Sequence, residues 1–232
     1  MRLGGNQPFF FPYIPYYQLM KNVETFMIAD DFSYSRAWTN RNYILLHGRE
    51  RFMFNLAVEG ASQNRLVNEV RVADNQYKLL KTIELNYRKA PFFKDVYPML
   101  EEILAYEDKN LARYLGNSLI TTAHYLRLDT RFIYSSEIEG KDPALRFQNR
   151  VLNLCKVLKA DEYINLGGED ENPLYDREVF KQYGIDLYYI KSRPIEYRQF
   201  NNSFVANLSM LDVLMFNPVE QINELLTQFD LV

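Results

Sequence analysis

Two adjacent carboxylates, Asp30 and Asp31, follow the apolar run Phe26-Met27-Ile28-Ala29. A carboxylate at the end of a buried strand can act as a general base, ligate a metal or accept hydrogen bonds from sugar hydroxyls. Neighbouring side chains on an extended chain point to opposite faces. One of the two therefore faces any crevice, and a dyad sharing a proton is not expected. The structural alternative is an ion pair, with Arg41 as the partner. Gln7, Tyr34, Trp38, Asn40, Arg41 and Asn42 complete the densest polar cluster of the chain. Arg41 offers a planar fork for phosphate or carboxylate. The asparagines offer amide edges, or they simply close a turn.

Two further polar stretches follow predicted strands, Ser135-Ser136 and Gly167-Gly168. A glycine pair between strand and helix can bring backbone N–H groups close to a phosphate. The spacing matches no phosphate-loop signature. The acidic Glu169-Asp170-Glu171 beside it counts against phosphate, and a plain turn also explains the pair. The two histidines, His47 and His124, and the single cysteine, Cys155, share no metal-ligand spacing. No structural zinc and no Ser-His-Asp hydrolase is expected. Cys155 lies on the apolar face of a predicted helix and reads as core. Asp212, three residues after Ser209, reads as half of a capping box.

The elements that must position these groups are legible from periodicity. Residues 1–6 allow no more than a stub of strand. Residues 9–12 are extended before proline, and 16–21 give a turn or two of helix. Buried strand is predicted over 25–29, and a hairpin over 43–46 and 51–58 with its turn at His47-Gly48. A further alternating strand is predicted over 66–72. Helical spacing of apolar residues covers 76–88, 92–106 and 111–126. Strand and helix then alternate. Strand is predicted at 132–134. A helix follows, capped by Asp142 with Pro143 in its first turn, burying Phe147, Val151, Leu154, Cys155 and Leu158. Strand at 162–165, helix at 175–182, strand at 186–190 and helices at 210–216 and 219–229 complete the chain. This alternation implies an α/β fold: a mostly parallel sheet with helices on both faces, an N-terminal β-hairpin insertion and a helical C-terminus. In such a sheet ligands bind outside the carboxyl ends of the strands. Asp30-Asp31, Ser135-Ser136 and Gly167-Gly168 would then converge on one crevice.

Bulk properties narrow the function classes. The 232 residues suit one domain, taken as residues 1–232, with 47% hydrophobic and 25% charged residues. Aromatics reach 15%, with 18 tyrosines, which suits thick core packing or a sugar- or base-lined pocket. A net charge of −3 without a basic cluster gives no nucleic-acid footprint. No apolar run reaches membrane-spanning length, and the first residues lack a signal segment. A cytoplasmic location is the expectation.

The chain resembles the WbqC-like family of bacterial proteins, found among genes for O-antigen and other surface polysaccharides. The resemblance rests on Gln7-Pro8, Phe10-Phe11-Pro12-Tyr13, Tyr16, Gln18-Leu19, Asp30-Asp31, Tyr34, Trp38, Asn40-Arg41-Asn42 and Lys89-Ala90-Pro91. It continues through Ser135-Ser136, Tyr163-Ile164-Asn165, Gly167-Gly168, Leu174-Tyr175-Asp176 and Leu208-Ser209 to Leu214. It implies transfer of a glycyl group onto an amino sugar carried by a nucleotide. Asp30 or Asp31 would deprotonate the amine. Gln7, Tyr13, Tyr34, Asn40, Arg41, Asn42, Ser135, Ser136, Gly167 and Gly168 would bind substrate. No cofactor or metal is implied. The other class of function open to such a chain is a non-catalytic nucleotide-sugar-binding or scaffold protein. Pro15 stands where the family usually has glycine. A weaker resemblance, through Tyr13 and Tyr16 after the proline-rich turn, is to the nucleotidyltransferase-like fold. There the corresponding pair is histidine, so adenylyl transfer is not expected here.

Overall fold

The computed structural model describes residues 1–167, 175–200 and 203–232. The chain opens with β1 (Arg2–Asn6), α1 (Ile14–Lys21) and β2 (Thr25–Ile28). A long excursion follows: β3 (Arg41–Leu46), β4 (Glu50–Asn55), β5 (Val58–Glu59), β6 (Arg71–Val72), α2 (Gln76–Tyr87), α3 (Phe93–Leu104) and α4 (Leu111–Tyr125). The alternating part holds β7 (Arg131–Tyr134), α5 (Phe147–Leu158), β8 (Glu162–Leu166), α6 (Arg177–Gln182) and β9 (Asp186–Ser192). The chain closes with α7 (Met210–Phe216), α8 (Val219–Leu225) and β10 (Phe229–Leu231).

The stretch expected to be a stub is the strand around which the sheet is built. β1 pairs in parallel with β2 on one side and β8 on the other. Its central residues are Gly4 and Gly5, which strand propensity disfavours. A Cβ on Gly4 would lie 2.9 Å from both Leu19 Cδ1 and Val23 Cγ1, and one on Gly5 would lie 2.8 Å from the Met27 carbonyl. The missing side chain of Gly4 lets α1 settle directly onto the sheet, and that of Gly5 makes room for Met27 on β2.

The six strands run in the order β10-β9-β8-β1-β2-β7. All pairings are parallel except that of β10 on β9. The chain winds outward from β1 through β2 to β7, then returns to the other side of β1 for β8 and β9. Helices cover both faces, as the alternation required. Residues of α1, α4 and α7 pack with Phe26, Ile28 and Ile164. Residues of α5 and α6 pack with Met27 and Tyr163, the neighbours of those residues that point the other way. Registry sets the carboxyl ends flush: Asn6 is opposite Ile28, and Ile28 is opposite Tyr134.

Several local expectations are corrected. Residues 66–72 are mostly a short 3-10 turn, Val67–Glu69, with only Arg71–Val72 in strand. Asp142 does not start α5. Its carboxylate accepts from the Ala144 N–H two residues on, closing a turn, and α5 begins at Phe147. Phe147 is not core but 73% exposed. The last helix ends at Leu225, and β10 takes the remaining length to the sheet edge.

Ser209 and Asp212 do not form a capping box either. Ser209 makes no side-chain cap, and its Oγ is buried without a partner. The buried Asp212 carboxylate instead accepts from Tyr87 Oη at 2.7 Å, Tyr197 Oη at 2.7 Å and Gln199 Nε2 at 2.7 Å. Tyr87 Oη in turn accepts from the Leu45 N–H at 2.8 Å. One carboxylate thus ties β3, α2, α7 and the segment after β9 together. Burial pushes it up to about 6, against the pull of its three hydrogen bonds. A carboxyl raised on folding holds its proton more tightly in the native state. Its contribution is therefore most favourable at low pH and is lost as pH rises from about 4 through about 6. The Asp212→Asn variant should flatten that part of the stability curve, read as urea midpoints across the window. An unchanged pH slope would contradict the assignment.

Candidate functional site

The carboxyl ends of β1, β2 and β8 open into a crevice of about 780 Å³, of a size that suits a small-molecule ligand. Its position is the point where the winding reverses, between β1 and β8. Open α/β sheets bind ligands at this switch point. Asn6 and Gln7 from β1, Asp31, Phe32 and Ser33 after β2, and Asn165 and Leu166 from β8 form its floor and sides. Lys141, Arg146, Phe147 and Arg150 close it from the crossover into α5, with Tyr175 beyond.

The two aspartates lie in the turn after β2 and differ in exposure, although both reach Ser135 Oγ. Asp30 is 1% exposed and turned inward. One of its oxygens accepts from Ser135 Oγ at 3.0 Å and the Ser136 N–H at 2.8 Å; the other accepts from Ser136 Oγ at 2.5 Å. It fastens the end of β2 to the end of β7. Asp31 faces the crevice. Its partners are Lys141 Nζ and Arg150 Nη2, each at 2.6 Å, and Ser135 Oγ. Arg150 also donates to the Asp31 carbonyl at 3.2 Å, and its guanidinium lies over the Phe32 ring at 4.0 Å. Lys141 Nζ further donates to the Ser135 carbonyl. Burial pushes the Asp31 carboxyl up. The Lys141 and Ser135 hydrogen bonds and the Arg150 charge outweigh it and hold the group below its ordinary value.

Gln7 lies on the crevice floor with its backbone held at both ends. Its N–H donates to Asn6 Oδ1 at 2.8 Å, and its carbonyl accepts from Tyr16 Oη at 2.7 Å. Its Oε1 is buried with no hydrogen-bond partner. The other expected ligand-binding residues lie elsewhere. Tyr34 Oη donates to Asn40 Oδ1 at 2.8 Å, Asn40 Nδ2 to the Leu56 carbonyl at 2.6 Å, and Asn42 Nδ2 to the Phe11 carbonyl. Asn42 pins the insertion to the aromatic turn after β1, and Asn40 ties the insertion together internally. Arg41 sits on β3 near Tyr34, is absent from the crevice lining and does not pair with Asp31. Tyr13 lines a separate groove of about 380 Å³ with Tyr197 and Leu208. The Gly167 N–H is used by the Ile190 carbonyl at 3.1 Å, so it extends the sheet. Gly168 lies outside the described residues.

The cations Lys141, Arg146 and Arg150 escaped the sequence reading. They carry no motif, but a signal existed. The loop after β7 and the first turn of its crossover helix must pass over the carboxyl edge. That passage holds all three cations within residues 141–150.

Removing the Asp30 carboxylate would take the acceptor from the Ser136 N–H and Oγ and leave the buried Ser135 Oγ with Asp31 alone. Asp30→Ala should therefore destabilise the fold by on the order of 3 kcal/mol, measured by chemical denaturation. A loss within experimental error of zero would show that β2 and β7 do not depend on it.

The family model described as the WbqC-like protein family matches residues 7–224. The uncharacterized protein Rv1507c of Mycobacterium tuberculosis is 27% identical over 214 residues, covering 90% of each chain. No solved structure matches. The matched span includes Gln7, both aspartates, the serine pair and the three crevice cations. The chain belongs to the WbqC-like protein family.

Proposed function

We propose that the chain binds a nucleotide-linked amino sugar in the switch-point crevice and acts as a transferase on its amine. Glycyl is the group implied by the family resemblance, and a surface polysaccharide is the implied destination. The observation that carries this reading is the crevice itself. It combines a cationic side, Lys141, Arg146 and Arg150, with a polar floor, Gln7, Asn6 and Asn165. Cations suit phosphate, and amide edges suit hydroxyl and amine groups.

In this reading the sugar amine attacks the carbonyl of an activated acyl donor and expels the donor's leaving group. Asp31 is the crevice carboxylate placed to accept the amine proton. Its two cations keep it ionised and also make it a weak base. That last observation favours a second reading, in which the protein binds the nucleotide sugar without turnover and presents it to a partner. Asp30 has the role of a strand fastener in both.

A thermal-shift screen separates binding from no binding. A UDP- or dTDP-linked amino sugar at about a hundred times its dissociation constant should stabilise the fold by about 2.7 kcal/mol. The Lys141→Met, Arg146→Gln double variant should lose most of that shift. Mass spectrometry of the sugar incubated with activated glycine then decides turnover. A glycyl mass increment supports the transferase, and binding without it supports the second reading. No shift with any nucleotide sugar would contradict both.

A further inference from the structure

Phe147 is the residue whose placement is least explained by folding. It opens α5 at φ 51°, in the left-handed region that bulky side chains rarely enter. Its ring is 73% exposed, so the strain brings no core burial in return. Strained backbone of this kind gathers where a ligand is held. Here the ring stands at the side of the crevice. Arg146 precedes it. The Arg146 Nη1 donates to the Pro143 and Leu145 carbonyls at 2.5 and 2.9 Å. Among the described residues it has no carboxylate partner, unlike Lys141 and Arg150, which share Asp31. Tyr175 lines the same crevice, and the segment that carries it is tied to α5 by the Asp176 N–H donating to Gln148 Oε1 at 3.0 Å. Gln7 and Asn165 line the far side of the same crevice.

From these placements we infer that Arg146 and Phe147 form a nucleoside-diphosphate subsite: the Phe147 ring stacks on the base and the Arg146 guanidinium holds the diphosphate. The inference rests on the crevice reading and adds which part of the ligand each residue meets. An aromatic ring serves any base, because every base has a π-face. A guanidinium without a carboxylate partner binds phosphate through two parallel hydrogen bonds. The group attached to the diphosphate then extends toward Gln7 and Asn165.

Calorimetric titration of the full chain with UDP, ADP, pyrophosphate and glucosamine 1-phosphate tests this. Phe147→Ala should weaken UDP and ADP about tenfold and leave pyrophosphate unchanged, while Phe147→Trp retains nucleotide binding. Arg146→Gln should weaken nucleotides and pyrophosphate alike by about tenfold. The melting temperature of Phe147→Ala should not fall. Unchanged nucleotide affinity in Phe147→Ala overturns the stacking role. An equal loss for pyrophosphate does so too, because it would mean that the local fold had moved. Wild-type protein that binds glucosamine 1-phosphate but neither nucleotide overturns this inference and leaves the crevice reading standing. Protein that binds none of the four overturns both.

Discussion

The hydrogen bonds of one buried carboxylate organise the site. Asp30 holds Ser135 and Ser136, and so locks the ends of β2 and β7 side by side. A buried acceptor of this kind is costly to leave unmatched, so the arrangement is over-determined. Asp30 and Asp31 lie in the turn after β2, and both carboxylates reach Ser135 Oγ. Asp31 faces the crevice, where Lys141 and Arg150 gather on it. The crossover from β7 to α5 is held over the sheet edge by that ion-pair cluster, and the cationic side of the crevice follows from it.

The second constraint is the glycine pair of β1. Gly4 removes the side chain that would hold α1 away from the sheet, and Gly5 removes one that would press on Met27 of β2. β1 can then take the central place, with the outward-winding half on one side and the returning half on the other. The crevice lies at that reversal, where the crossovers leave β1 in opposite directions. Chemistry and topology meet at Gln7, which leaves the end of β1 and sits on the crevice floor.

Much of this was legible in the sequence. Periodicity located the helices 76–88, 92–106 and 111–126 to within a few residues, because long amphipathic stripes are strong signals. The alternation of strands and helices after residue 131 implied the parallel sheet. β1 was underestimated because Gly-Gly opposes strand propensity, and only packing explains its place. Asp30-Asp31 and Ser135-Ser136 meet because both follow neighbouring strands, but of the four only Asp31 lines the crevice on which all were expected to converge. Tyr34, Asn40 and Asn42 looked like ligand groups because amides and hydroxyls are chemically the same whether they meet a ligand or a backbone carbonyl. Here they meet Leu56, Phe11 and each other. Lys141 and Arg150 carry no motif, because their partner Asp31 lies far away in sequence; Arg146 bonds only to nearby carbonyls, and the crossover alone brings it to the crevice. Phe147 was placed in the core by helical spacing, which cannot register that the helix starts with its side chain directed outward.

The most direct test of the account is a crystal structure of the chain with a UDP-linked amino sugar. The account places the diphosphate beside Arg146 and Arg150 and the sugar against Gln7 and Asn165, at the ends of β1 and β8. A ligand seated in the groove of Tyr13 and Tyr197, with the switch-point crevice empty, would contradict it.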